Sequence, residues 1–230
     1  MSRPLLSTAS PTDSLAPVRL QSRAYSELRR LIVSGEFPPG TFLSERQLAA
    51  QLGMSKTPVH VALERLESEG FVTISAQQGI VVRGLSVDDI VDHYELREAV
   101  ESWVVRRLAG KLNPAQQAEL QANLQHQHEA LATWDMVRLM HLDEQMHYLL
   151  CSYLNNREIA STMERLRDKI HQVILRVTET DRTRPAESTA EHVRIIQAIL
   201  DGEPDLAARL MTEHLEAGKR RILNPERFSR

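Results

Sequence analysis

Four side chains that can bind a metal ion lie on the apolar faces of three predicted helices. Asp143 and His147 are four residues apart, so they lie one turn apart on a face made mainly of leucine and methionine. His192 begins the apolar stripe of a second helix, and His214 lies on that of a third. Such groups are costly to bury without partners, and a divalent cation would give them one common partner.

Zinc suits this mixture of imidazole and carboxylate best, with nickel, manganese or iron as alternatives. A lone inward-facing histidine is more often a hydrogen-bonded core residue than a ligand, so the convergence of all four groups is what favours a metal site. His141 precedes Asp143 by only two residues and therefore lies off the stripe. An octahedral ion with these ligands would keep positions for water or for the carboxylate of a bound molecule.

Two other uses of such a site stay open. A metal held by imidazoles and a carboxylate can activate water, as in a metal-dependent hydrolase. Against this reading, the neighbouring candidate bases Glu144 and Glu191 are expected to point away from the site. Alternatively, the metal could be purely structural, with no soluble effector beside it.

The metal-binding residues fall in a part of the chain, residues 85–230, that is predicted to be an all-α antiparallel bundle. Helix boundaries are marked by Asn113-Pro114, by a Ser188…Glu191 capping box and by Gly202. The apolar periodicity predicts helices at about 87–110, 114–130, 133–153, 156–178, 187–201 and 203–223.

The preceding residues, 18–84, predict a winged helix-turn-helix, so the fold class as a whole is mainly α. A first helix ends at Gly35, and a Ser44…Gln47 capping box starts a short helix that ends at Gly53. A further helix follows Ser55. Two β-rich runs, 71–74 and 80–83, then predict a hairpin, or wing.

A helix-turn-helix with a wing typically places the start of its second helix in the major groove of DNA. Arg46, Lys56, Thr57 and His60 are the predicted contacts at that tip, and Gly79 allows the wing to approach the backbone or minor groove. Residues 18–83 carry eight Lys/Arg against six Asp/Glu, while residues 84–230 carry nineteen against twenty-four. A basic head on an acidic body fits DNA binding, although winged domains also serve as protein-contact surfaces.

Composition fits a two-domain globular protein of the cytoplasm. The chain has 230 residues, and its only cysteine, Cys151, excludes an internal disulfide and fits a reducing compartment. No apolar run approaches the roughly 20 residues of a membrane-spanning helix. Residues 1–17 lack a signal-peptide pattern, are rich in Ser, Thr and Pro, and are predicted to be a disordered leader.

The first half of the chain resembles the DNA-binding domain of the GntR regulator family. The ungapped similarity covers PGTFLSERQLAAQLGMSKTPVHVALERLESEGFVTISAQQGIVV, in which Arg46, Thr57 and Gly79 match the family. Lys56 stands where the family usually has Arg, and His60-Val61 stand where it has Arg-Glu. The resemblance therefore implies the mode of DNA binding but not the family's usual operator.

The second half resembles the FCD effector domain of the FadR-type GntR regulators, and six helices suggest its shorter, VanR-like version. The similar segments are LDEQMH, EHVRIIQAI and MTEHL. The resemblance implies that the matching Asp and three His hold a metal and that a small carboxylic acid binds beside it. Arg97 matches a family arginine that can face this pocket, and the alternative is a surface pair with Glu101.

Together these patterns predict a ligand-responsive transcription regulator, a repressor rather than an enzyme. We expect a cytoplasmic homodimer on double-stranded, pseudo-palindromic operator DNA, with one recognition helix in each half-site. A small organic-acid effector would bind beside the metal and alter operator binding.

Overall fold

The structure is a computed structural model that describes residues 15–75, 79–84, 86–164, 166 and 182–223. It divides into two compact units, Met1–Gly84 and Leu85–Arg230. Apart from a three-stranded antiparallel sheet in the first unit, the regular elements described are helices, which confirms the mainly α fold class. No helix among the described residues is long and apolar enough to cross a membrane.

The first unit is a winged helix-turn-helix. Its apolar core joins the first and third helices to the sheet and includes Leu28, Ile32, Leu63 and Leu66. Gly53 ends the second helix in the left-handed conformation (φ 63°), which a residue without Cβ adopts at little cost. The elements in chain order are α1 Leu15–Val33, β1 Phe42–Leu43, α2 Glu45–Leu52, α3 Lys56–Ser68, β2 Val72–Ser75 and β3 Gly79–Val82.

Three details of this unit differ from the sequence-based expectations. Helix α1 begins at Leu15, within the predicted leader, whose residues 1–14 lie outside the described residues, as do wing residues 76–78. Strand β1 was not predicted, because two residues are too short for a periodic signal. Ser44 precedes α2 with an extended backbone but forms no side-chain cap bond, so the predicted capping box is wrong. The sheet holds this entry instead, because Leu43 pairs with Ile80.

The second unit is a helical bundle around a core that includes Val104, Met146, Leu150, Ile196 and Met211. The helices are α4 Val87–Leu108, α5 Pro114–Ala132, α6 Met136–Ser152, α7 over residues 157–164, α8 Arg184–Leu200 and α9 Pro204–Leu223. Helix α4 packs against α9, α5 packs against α6, and α8 packs against both α5 and α9.

Helix ends in the bundle agree with prediction at some places and not at others. Asn113 forms a capping box with Gln116, as the Asn-Pro signal indicates. Helix α8 begins at Arg184 with Pro185 in its first turn, so Ser188 lies inside the helix and the predicted Ser188…Glu191 box is wrong. Of the fourth predicted helix, 156–178, residue 165 and residues 167–178 lie outside the described residues.

Candidate functional site

Three histidine side chains from different helices meet inside the second unit. His147 of α6, His192 of α8 and His214 of α9 are 3%, 0% and 6% exposed. Their ring centroids are 4.7–5.4 Å apart, and one nitrogen from each ring lies within 4.8 Å of the others. Because these helices pack around one core, the apolar stripes predicted from the sequence place the three rings together.

Each ring is held through its Nδ1 atom by an oxygen acceptor. A carboxylate or amide oxygen accepts hydrogen bonds, so in the neutral form of each ring this contact favours the proton on Nδ1 and leaves the lone pair on Nε2. Metal-binding histidines are typically oriented in this way by their outer nitrogen. The pairs are His147 with the Glu101 carboxylate, His192 with Gln127 (Nδ1–Oε1 2.8 Å) and His214 with Glu191 (Nδ1–Oε2 2.7 Å).

The Nε2 atoms of the three rings lie close together, and Ser188 Oγ lies 3.4 Å from that of His192. His192 Nε2 lies 3.4 Å from His214 Nε2, so two lone pairs point into the same small space. His147 Nε2 is buried and has no hydrogen-bond partner. An unsatisfied buried acceptor costs about 1–3 kcal/mol. A divalent cation at this point would satisfy all three nitrogens, so the residues present fit a metal ion.

Asp143 completes the predicted group from the edge of the cluster. Its Oδ1 lies 3.4 Å from His192 Nε2, and its Oδ2 lies 3.9 Å from His147 Nε2. Ser188 also donates a hydrogen bond to Oδ1, at 3.3 Å. Two ligands of one zinc ion lie roughly 3.0–3.4 Å apart. The structure therefore brings all four predicted ligands together, and Asp143 is the most exposed of them, with 20% of its side chain accessible.

The electrostatic environment favours the protonation states that bind metal. Burial lowers the pKa of His192 well below its usual value, although the Asp143 carboxylate opposes the shift. Burial likewise lowers the pKa of His214 to about 4, against the opposing hydrogen bond to Glu191. Burial alone would raise the pKa of Asp143, but the facing histidines and Arg97 outweigh it, and the pKa falls to about 2. At neutral pH the site therefore offers the neutral imidazoles of His192 and His214 and the carboxylate of Asp143.

The sequence analysis did not identify the residues that accept hydrogen bonds from Nδ1 of the three histidines. Glu191 was expected to point away from the site. It instead accepts a hydrogen bond from His214 Nδ1, because α8 packs beside α9. Glu191 also accepts from Arg184 (Nη1–Oε1 2.8 Å), which gave no sequence signal. Gln127 did give one, because it interrupts the apolar face of α5 that includes Leu120.

An amide chain links three helices behind His192. Gln127 Nε2 donates to Asn123 Oδ1 (2.7 Å), so Gln127 Oε1 is left to accept from His192. Asn123 Nδ2 in turn donates to the backbone oxygen of Leu142 (3.0 Å). Each amide thus has its oxygen and nitrogen ends assigned by its neighbours.

Arg97 pairs with Glu101 inside the bundle and not at the surface. Its Nε lies 2.6 Å from Glu101 Oε1, and both side chains are buried, with 5% and 2% accessible. Glu101 thereby joins Arg97 to His147, because its other oxygen accepts from the imidazole. Burial alone would raise the pKa of Glu101, but the Arg97 charge and His147 hold it well below its usual range.

A cavity lies beside the cluster and includes about 680 Å³ of empty space when the open solvent at its mouth is counted. Asp143 and His214 belong both to the cluster and to the cavity wall, and Arg97 lines the same wall. The other lining residues are Tyr94, Met136, Leu139, Met140, Arg184, Pro185, Ser188, Thr189, Gly218 and Ile222.

In the first unit the predicted DNA-binding residues are all exposed, at Arg46, Lys56, Thr57, His60 and Gly79. Ser55 precedes α3 without a side-chain cap bond, so the first backbone N–H groups of that helix are available to a phosphate.

His60 has partners that the sequence did not indicate. Its Nδ1 lies 2.7 Å from Glu45 Oε1, and its Nε2 lies 3.4 Å from Glu64 Oε1. The hydrogen bond to Glu45 raises the pKa of His60. A base or phosphate would therefore compete with two carboxylates for this imidazole.

Each of the two units matches a known family. Residues 20–82 match the family described as "Bacterial regulatory proteins, gntR family", and residues 92–217 match the FCD domain. The chain belongs to the GntR family. Its FCD domain spans the histidine cluster, and its GntR domain spans the exposed residues of the first unit.

Relatives of this GntR regulator share most of its length. It is 29% identical over 198 residues to the HTH-type transcriptional repressor RspR of Escherichia coli K12, covering 86% of each chain. It is 30% identical over 188 residues to the Nta operon transcriptional regulator of Aminobacter aminovorans, covering 81% of this chain and 86% of that one. A solved GntR regulator from Rhodococcus sp. RHA1 superposes with a TM-score of 0.75 at 25% identity, covering 89% and 97%. The regulator is not an enzyme, and the hydrolase alternative is wrong.

Proposed function

We propose that this GntR regulator is a cytoplasmic homodimeric repressor whose operator binding responds to a small carboxylic acid held beside a divalent metal, most simply zinc. The first unit binds double-stranded operator DNA through Arg46, Lys56, Thr57, His60 and the wing glycine Gly79. The metal ligands are Asp143, His147, His192 and His214, and Arg97 contacts the acid.

The convergence of three acceptor-held imidazoles carries this proposal. One nitrogen from each ring lies within 4.8 Å of the others in one buried place, and His147 Nε2 there has no hydrogen-bond partner. A bound zinc ion would supply a positive charge and an open position for a carboxylate oxygen. Glu101, Gln127 and Glu191 keep the imidazoles oriented toward that place.

An effector in the cavity lies next to the metal, because two of the metal ligands form part of the cavity wall. Asp143 and His214 both line the cavity, so an acid there lies against the metal-binding side of α6 and α9. Arg97 offers the acid a guanidinium whose position Glu101 fixes. The acid shifts operator binding only by its differential affinity for the two arrangements of the dimer.

Metal content in matched histidine variants tests the site. His147→Ala should lose bound zinc, whereas His141→Ala, an exposed histidine of the same helix, should keep it. Elemental analysis of the purified proteins gives the metal content, and circular dichroism checks that both fold. Equal zinc in the two variants would refute the assignment.

Operator binding is tested on the same proteins. Sequencing of the DNA fragments that the protein retains identifies the operator, and acids are then screened for release. His147→Ala should bind the operator but lose its response to acid. If no acid changes either operator binding or thermal stability of the zinc-loaded protein, the metal is structural instead.

A further inference from the structure

The cavity beside the histidine cluster has two chemically different ends. Asp143 lies about two helical turns from Met136 in α6, and His214 lies about two turns from Ile222 in α9, so the metal ligands and these apolar residues line different parts of the cavity. Met136, Leu139, Met140 and Ile222 supply a wall of hydrocarbon and thioether. The other polar lining residues are Tyr94, Arg97, Arg184, Ser188 and Thr189, of which Arg184, Ser188 and Thr189 already bond to Glu191, Asp143 and the backbone of Pro185. A ligand whose polar group reaches the metal therefore places the rest of its body along the apolar side chains.

The apolar part of the lining offers no cation to a second carboxylate. Met136, Leu139, Met140 and Ile222 are uncharged, and the two arginines among the described lining residues are already paired, Arg97 with Glu101 and Arg184 with Glu191. A ligand can place one carboxylate near Arg97 and the metal ligands. A second carboxylate along the apolar side chains would lose its water without gaining a charged partner, which is costly.

The apolar wall also selects against hydroxyl groups. Met136, Leu139, Met140 and Ile222 present no hydrogen-bond donor and only weak thioether acceptors. A hydroxyl buried against them loses its water without gaining a partner, whereas a methylene gains by leaving water.

We propose that this cavity takes an amphiphilic monocarboxylate, with one carboxylate at the metal end and an unsubstituted hydrocarbon body along the apolar wall. This inference rests on the proposed function, because it requires the metal-loaded site. It goes further by excluding sugar acids and dicarboxylic acids as the preferred ligands.

Three acids with equal carbon number separate the possibilities: hexanoate, gluconate and adipate. They differ in the hydroxyl groups of gluconate and the second carboxylate of adipate. Calorimetry on the zinc-loaded, full-length protein should show hexanoate binding most tightly. Along the series acetate, butyrate and hexanoate, affinity should rise about fourfold for each added methylene. A flat series, or tighter binding of gluconate or adipate, would overturn the inference.

A pair of variants in α6 ties the chain-length effect to the wall. Met136→Asn alters a cavity-lining side chain, whereas Val137→Asn alters the next residue, which is 74% exposed. Met136→Asn should weaken hexanoate binding roughly fivefold while leaving acetate binding unchanged, and Val137→Asn should change neither. Equal losses for acetate and hexanoate in Met136→Asn would mean that the wall does not contact the ligand body.

The same titrations distinguish failure of this inference from failure of the proposed function. If zinc and acids bind but a sugar acid or dicarboxylate is preferred, only the choice of ligand class fails. If zinc binds and none of the acids does, the effector part of the proposed function fails, and the inference fails with it.

Discussion

His60 of the first unit and the clustered histidines of the second unit lie in opposite settings in this GntR regulator. In the first unit His60 is half exposed, lies between two carboxylates and has a raised pKa. In the second unit His192 and His214 are buried, each bonds through Nδ1 to an oxygen, and their pKa values are lowered. The same side chain is thus favoured in its charged form in one unit and in its neutral form in the other.

The two kinds of site differ in how much their own atoms indicate about the ligand that binds there. A buried site must satisfy its own polar atoms, so an unsatisfied atom such as His147 Nε2 indicates a missing partner. An exposed site is satisfied by water, so Arg46 and Lys56 reveal their role only through position and charge. The predictions below test this contrast, from the largest expected effect to the smallest.

Removing Glu101 should give the largest effect. Glu101→Ala leaves the buried Arg97 charge without its partner and removes the acceptor of His147, so the second unit should lose about 3–5 kcal/mol of stability. Urea denaturation measures the change. The matched control Asp92→Ala, an exposed acid of the same helix, should stay within about 0.5 kcal/mol of the parent. Similar midpoints for the two variants would contradict a buried ion pair.

Metal removal should separate the two units. A metal present at about a thousand times its dissociation constant stabilises the folded state by roughly 4 kcal/mol. A chelator should therefore remove about 4 kcal/mol from the free energy of unfolding of the second unit and lower its unfolding temperature. The unfolding temperature of the first unit should stay unchanged. Calorimetry with and without chelator checks this, and restored zinc should reverse the loss. Equal shifts in both units would show that the effect does not come from the histidine cluster.

Lys56→Ala should weaken operator binding without changing stability. Loss of one phosphate contact should reduce the slope of log affinity against log salt by about 1, because one fewer counterion is released. Fluorescence anisotropy over a salt series measures both quantities. Lys111→Ala, an exposed lysine of the second unit, is the control. An unchanged slope in Lys56→Ala would remove this residue from the DNA-binding surface.

The pH dependence of stability should have opposite signs in the two units of the metal-free protein. The pKa of His214 is lowered to about 4 and that of His192 lies well below 6.5, so the unfolded chain binds more protons below pH 6.5. The second unit should therefore lose stability as pH falls from 6.5 toward 4. His60 has a raised pKa, so its contribution is complete below pH 6.5 and is lost as pH rises through its folded pKa.

Urea midpoints between pH 4.5 and 8 measure both effects, and His60→Gln isolates the second. The His60 contribution should be small, because its ring is about half exposed and its ion pairs are screened by solvent. If the second unit kept constant stability down to pH 4.5, the buried histidines would not be neutral in the folded protein.

The convergence of the four candidate ligands could be predicted from the sequence because each breaks an apolar stripe. Helical spacing alone places Asp143 and His147 on one face, and His192 and His214 interrupt two other stripes. The partners Glu101 and Gln127 could not be assigned, because they depend on how each helix is rotated against its neighbours. Local periodicity does not encode that rotation. For the same reason Glu191 was expected on the wrong side of its helix.

Local caps were the least predictable feature. Asn113 forms its box, whereas the same kind of signal at Ser44 and Ser188 does not. Strand pairing at Leu43 fixes the chain just before Ser44, and Pro185 starts α8 before Ser188 is reached. A tertiary contact or a proline thus overrides a cap that contributes only about 1 kcal/mol.

The amide chain from Leu142 through Asn123 and Gln127 to His192 has a direction. Every donor in it points one way, beginning from a backbone carbonyl that can never become a donor. An acid of identical shape at Asn123 would keep the fit and erase that direction, since it would have no N–H to offer Leu142. The backbone carbonyl of Leu142, two side chains away, thus determines that the His192 imidazole donates from Nδ1 to Gln127.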